Sequence, residues 1–194
     1  RDTHDPVGYD PQLWQQMAEM GWASIVLPET HGGLDFGFLG LGVVLEESGR
    51  TLTASPLFAS AVVGASAVLL GGSEALKQSL LPDIAGGKLT LALALEETHH
   101  HNPTYISTTA KVQGENFILN GSKCFVLDGH SADKLIVVAR TGGTERSSAG
   151  LTLLLVDRNT SGVSCRRTFI ADSRNAANIR FDDVVVPAEN ALGT

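Results

Sequence analysis

Cysteine, positive charge and long apolar runs are all scarce in this 194-residue chain, and each scarcity closes a class of function. The two cysteines, Cys124 and Cys165, form no C-x-x-C pair. That excludes a disulfide framework or a cysteine-rich metal site and leaves free thiols in a reducing cytoplasm as the expectation. Fourteen Lys and Arg stand against 21 Asp and Glu, a formal charge of −7. Nucleic-acid surfaces need clustered cations, so none is expected here. No apolar run reaches the roughly 18 residues of a membrane-spanning helix. The nearest, Ala59 to Leu70, is short and interrupted by Gly64 and Ser66. A G-x-G-x-x-G after a strand, a Walker lysine loop and a G-x-S-x-G elbow are all missing, which disfavours a Rossmann dinucleotide fold and a nucleophile-elbow hydrolase. Neither a repeat nor a low-complexity tract occurs. No signal peptide is visible, and the chain starts at Arg1 and stops abruptly at Thr194. A chain that continues past these ends is the expectation.

What is present is a 43% hydrophobic sequence with 21 glycines, enough for a real core. Its first part reads as helices. Asp10-Pro11 supplies a cap and a first-turn proline, Gly21 a stop, and Leu13, Trp14, Met17 and Met20 a core stripe. Phe36 to Glu47 predicts a second helix, Ser55-Pro56 opens a third that Gly71-Gly72 ends, and Ser73-Glu74 opens a fourth running to about Leu81. After Gly86-Gly87 the pattern turns to strands: Leu89–Leu95, Thr104–Val112, Asn116–Leu119, Lys123–Leu127, Leu135–Ala139, Leu151–Val156, Val163–Phe169 and Asn178–Phe181. Asn120-Gly121 reads as a hairpin turn, and Thr141–Ser148 as an exposed flexible loop. Helices followed by short strands predict an α+β chain. An all-α domain would span residues 1–87 and an antiparallel β-barrel domain residues 88–194.

The chemistry-bearing residues carry little by spacing alone. His99-His100-His101 cannot all face one metal from an extended segment, and Asn102-Pro103 supports a solvated loop. Glu96-Glu97 makes a poor acid/base dyad, because adjacent extended side chains point apart; one of the two can be buried and the other exposed.

Several blocks in order resemble the acyl-CoA dehydrogenase family. Ile25-Val26-Leu27-Pro28-Glu29-Thr30-His31-Gly32-Gly33 resembles its P-E-x-x-G-G loop, and Leu81-Pro82-Asp83-Ile84-Ala85-Gly86-Gly87 its L-P-x-x-A-x-G linker. Leu93-Ala94-Leu95-Glu96-Glu97 sits at A-L-T-E, and Leu119-Asn120-Gly121-Ser122-Lys123-Cys124-Phe125-Val126-Leu127 at L-N-G-x-K-x-W-I-T. Phe181-Asp182-Asp183-Val184-Val185-Val186-Pro187 resembles F-x-D-V-x-V-P. The resemblance implies a helical domain and a β-barrel, and FAD-dependent α,β-dehydrogenation of an acyl-CoA thioester in lipid metabolism of the fatty acid β-oxidation type. It also implies an electron-transfer acceptor and a homo- or hetero-oligomer. The family's catalytic glutamate lies in a C-terminal bundle, so the base is expected beyond Thr194 and this chain alone is expected to be inactive. The implied flavin-lining positions are Leu93, Leu95, Glu96, Phe125 and Leu127, with Asn102 near the thioester; no metal is implied. Glu96 and Leu127 stand at family threonines and Phe125 at the tryptophan, while His100-His101-Asn102-Pro103 replaces A-G-S-D. A carboxylate about 4 Å from a reduced, anionic flavin would repel it by about 4 kcal/mol at an effective dielectric near 20. Three readings therefore stand open: an active flavoprotein with an altered pocket, a subunit with weakened or lost FAD that pairs with an active partner, and a scaffold or binding module.

Overall fold

The helix caps fall where the local chemistry puts them. In the computed structural model, which describes residues 5–171 and 174–193, the Asp10 carboxylate accepts from Gln12 N and Leu13 N and starts α1, Pro11–Glu19. Ser73 accepts from Leu76 N and starts α4, Glu74–Ala85, which carries Pro82 in its last turns. Between them lie α2, Gly37–Arg50, and a wide π-type run, Leu57–Gly64, that passes into α3, Ala65–Gly71. The terminal residues Arg1 and Thr194, from which a continuing chain was expected, lie outside the described residues. Among the described residues no helix is long and apolar enough to cross a membrane.

The chain divides into two compact units, Arg1–Leu91 and Ala92–Thr194. In the first, Trp14 and Met17 are buried with Ala18, Ala23, Leu57 and Ala61. The Trp14 indole donates to Gly87 O at 2.9 Å. Gly87 has φ +68°, and a Cβ there would lie 2.6 Å from that of Ala18, so this turn needs glycine. Leu13 and Met20, expected in the core, are exposed; they flank the stripe that Trp14 and Met17 present.

The second unit is a mostly antiparallel sheet. Its strands are β1 Leu91–Ala94, β2 Thr109–Gln113, β3 Asn116–Leu127, β4 Lys134–Arg140, β5 Leu151–Asp157, β6 Val163–Phe169, β7 Asn175–Pro187 and β8 Ala191–Leu192. They are ordered β6-β7-β3-β2-β4-β5-β8, with β1 on β4. Among the described residues the pairing path is open, from β6 to β8, so the expected barrel is not closed. The ends explain why. β8 offers two residues, and β6 exposes Ser164, Cys165 and Arg166, a charged edge that resists further pairing. Midway, β2 meets β4 at a single parallel pair, Thr109↔Arg140. Leu119, Val126, Leu135, Val137, Leu154, Ile179 and Phe181 fill the core.

Two sequence expectations change. Asn120-Gly121 is not a turn: β3 runs straight through it, and Gly114-Glu115 makes the β2–β3 turn. Gly121, φ +146°, sits where β3 shifts register against β7, and a Cβ there would lie 2.4 Å from Thr108 Oγ1. The Asn-Gly pair serves a bulge and a close approach. The 141–150 loop is organised by a buried cation. Arg140 donates from Nε to Ile106 O, from Nη1 to Gly142 O and Ala149 O, and from Nη2 to Thr104, Glu145 and Ser147 O, at 2.9–3.4 Å. These acceptors are carbonyls, so the planar fork of arginine does here what a point-charge lysine cannot. Arg140→Lys and Arg140→Met should both lower the stability of this unit by roughly 2–4 kcal/mol in urea denaturation; full rescue by lysine would contradict the fork geometry.

Candidate functional site

At the end of β1 two adjacent carboxylates part company, as extended spacing requires. Glu97 turns inward. Its Oε1 accepts from Lys123 Nζ at 2.8 Å and from Thr108 N at 3.0 Å, and its Oε2 from Ser107 N and Ser107 Oγ at 2.7 and 2.6 Å. Lys123 also donates to Leu95 O at 3.0 Å. The two side chains are 4% and 0% exposed. Burial pushes the Glu97 carboxyl up, but the hydrogen bonds from Lys123, Ser107 and Thr108 outweigh it and hold the group at about 2. Burial likewise pushes the Lys123 ammonium down, against the hydrogen bond and charge of Glu97. This pair locks the 95–97 segment to β3 and to residues 107–108.

Glu96 turns the other way. Its Oε1 meets His101 Nδ1 at 2.5 Å and its Oε2 accepts from Asn102 N at 3.2 Å. Its own carbonyl accepts from Cys124 N at 2.8 Å, which sets it beside Phe125. There β3 loses register with β7 between Lys123 and Val126, and Phe125 takes φ +52°. A bulge and a left-handed backbone re-aim a side chain, and the Phe125 ring is 49% exposed. His99 packs edge-on against it, centroids 6.1 Å apart. Leu93 in β1 and Leu95 just past it are half-buried, alternating with buried Ala92 and Ala94, so they share the face away from the core. Leu127, half-buried, ends β3 opposite Ala176.

The structure thus gathers Leu95, Glu96, Phe125 and, through Glu96, Asn102 around one rim. Leu93 lies further back on β1. Sequence reasoning passed over Lys123 and Glu97 as a unit and did not see His99 as a neighbour of Phe125. A single lysine within an apolar, strand-forming stretch was the available signal for the first. Among the described residues no three His, Cys, Asp or Glu side chains are grouped to hold a metal. Both cysteines are free thiols, each pushed up by burial, and Cys124 Sγ donates to Thr98 O at 3.2 Å.

A half-exposed aromatic ring beside leucines fits the face of a flat heteroaromatic cofactor. The side chains fit its polar edge poorly. Glu96 only accepts and is already engaged, and Leu127 has no polar atom, so polar contacts fall to the main chain.

Comparison with known proteins gives two family matches: "Acyl-CoA dehydrogenase, N-terminal domain" over residues 2–88 and "Acyl-CoA dehydrogenase, middle domain" over residues 92–184. Cyclohex-1-ene-1-carbonyl-CoA dehydrogenase of Geobacter metallireducens is 34% identical over 91% of this chain and 48% of its own length. A variant of the Tcur3481-Tcur3483 steroid ACAD superposes with TM-score 0.85 at 31% identity, covering 98% of this chain and 50% of that one. Butyryl-CoA dehydrogenase from Megasphaera elsdenii does so with TM-score 0.83 at 27% identity, covering 96% and 51%. The chain spans about half the length of the curated relatives it matches.

Removing one partner of a buried ion pair strands the other charge. Lys123→Met or Glu97→Gln alone should destabilise the second unit by about 3–5 kcal/mol, and Lys123→Met with Glu97→Leu by less than the sum, in a urea double-mutant cycle. Glu97 is lower in the folded chain than its ordinary 4.5. Its contribution is therefore complete above that value and lost as pH falls toward about 2. Acid titration of stability should show this loss in the parent chain and not in Glu97→Gln.

Proposed function

Because this chain belongs to the acyl-CoA dehydrogenase family, we propose that it supplies the cofactor and thioester rim of a FAD-dependent acyl-CoA dehydrogenase-type oxidoreductase. The single observation that carries this reading is the re-aimed, half-exposed Phe125 ring set against the 95–97 segment by the Glu97–Lys123 lock. FAD, when bound, supplies the acceptor for the hydride that leaves the β-carbon of an acyl-CoA. The chain's own residues bind and orient. Phe125 offers a stacking face, Leu95 and Leu127 are assigned to its apolar margin, and Asn102 stands by for the thioester. Holding two reactants in register is a large part of such catalysis. No residue of the rim is assigned the removal of the α-proton, and the 194-residue chain is inactive in this reading. Acyl-CoA, an electron-transfer acceptor, a homo- or hetero-oligomer and a cytoplasmic location complete the proposal.

A second reading has its own support. Glu96 stands at a position where a carboxylate opposes a reduced, anionic ring, and the steroid ACAD noted above carries a two-chain name. A flavin-deficient subunit that pairs with an active partner fits both.

The two readings separate by flavin binding. Under the first, the purified chain titrated with FAD quenches flavin fluorescence, and Leu127→Thr, which restores a hydroxyl, tightens binding about tenfold, the factor of one recovered hydrogen bond. No quenching, with co-purification of a paralogous chain, favours the second. Turnover of an acyl-CoA by the 194-residue chain with FAD and an artificial electron acceptor would overturn its proposed inactivity.

A further inference from the structure

Glu96 occupies a cofactor-facing position by sequence, yet its carboxylate is spent on its own chain. Both oxygens are engaged, one with His101 Nδ1 and one with Asn102 N. A carboxylate with a charge-capable partner and a main-chain donor is well satisfied. The segment it holds is short and tied at both ends. At its start, Thr98 O accepts from Cys124 Sγ at 3.2 Å, and Thr98 Oγ1 lies 2.9 Å from His100 O and 3.4 Å from His100 N. At its end stand the two contacts to Glu96. Between these ties lies His99, whose ring is edge-on to Phe125 at 6.1 Å, 69° between planes. The exposed aromatic surface of the rim is thus partly covered by the chain itself.

We infer that Glu96 is a positioning residue that ties the Thr98–Asn102 turn, and that this turn lays His99 over the Phe125 ring as a cover any flat ring ligand must displace. The inference rests on the reading of this rim as a flavin-type site, but its two parts can fail separately from it. Glu96 acts on the turn through both of its carboxylate oxygens. The same tie fixes Asn102, so opening the turn moves both the aromatic wall and the thioester candidate. Three histidines in a row, without meaning as a metal site, acquire distinct positions: His99 on the ring, His100 on Thr98 and His101 on Glu96.

The test uses the 194-residue chain, by NMR and by titration with FAD. Glu96→Thr should abolish the His99–Phe125 proton contact and speed exchange of the Asn102 amide by about tenfold or more, the factor carried by loss of one charge-assisted hydrogen bond. Glu96→Gln keeps an acceptor for Asn102 N and should retain most of that protection. His99→Ala leaves the tie intact, so Asn102 stays protected while FAD binds severalfold tighter than to the parent. An unchanged Asn102 amide and an unchanged ring contact in Glu96→Thr would overturn the tie. FAD affinity no higher in His99→Ala than in the parent would overturn the cover. If the NMR changes appear and neither parent nor variants bind FAD, the tie stands and the flavin reading falls.

Discussion

The buried contact between Lys123 and Glu97 is the constraint on which the rim depends. An ammonium and a carboxylate at 2.8 Å, both out of solvent, cost desolvation that only further hydrogen bonds offset. Those further bonds are what give the pair its structural meaning. Through Leu95 O, Ser107 and Thr108 the pair fastens β1's exit, the approach to β2 and the middle of β3 at one point. The neighbouring residues inherit their directions from it. Glu96 must face away because Glu97 faces in, and Phe125 emerges two residues after the anchored Lys123.

A second buried cation works in the same unit by a different route. Arg140 gathers main-chain carbonyls from residues 104–106 and 142–149. The 104–106 stretch follows directly on the histidine turn. The turn is therefore held at its start by Cys124 and at its end by Glu96, and the chain just beyond it by Arg140, although the 98–108 segment has no strand of its own. Irregular backbone beside a site is kept in place by side chains that act as surrogate ladder partners.

Much of this was legible in the sequence. Caps at Asp10 and Ser73, the change from helical to alternating pattern after Gly87, and the motif order each survive because they rest on local chemistry. What was not legible is non-local. Asn120-Gly121 has the composition of a hairpin turn, and only the β7 partner and Thr108 reveal it as a bulge. Closure of the sheet depends on edges, and neither the brevity of β8 nor the charge of β6 announces an open path until the order is known. Within the site, the divergence of Glu96 and Glu97 followed from strand geometry, whereas their partners, 26 residues on at Lys123 and across the turn at His101, did not. Thr141–Ser148 reads as a free loop because its organiser, Arg140, sits outside it and uses carbonyls that carry no sequence identity.

We propose that the Phe125 ring is the surface on which a flavin rests. It is tested most directly by the FAD dissociation constant of the chain and of Phe125→Ala, read by flavin fluorescence, with the fold of the variant checked by its unfolding midpoint. The account predicts saturable binding to the parent, weakened about tenfold or more on loss of the stacking ring, with the midpoint little changed because the side chain is half exposed. Equal affinity in the variant would contradict it.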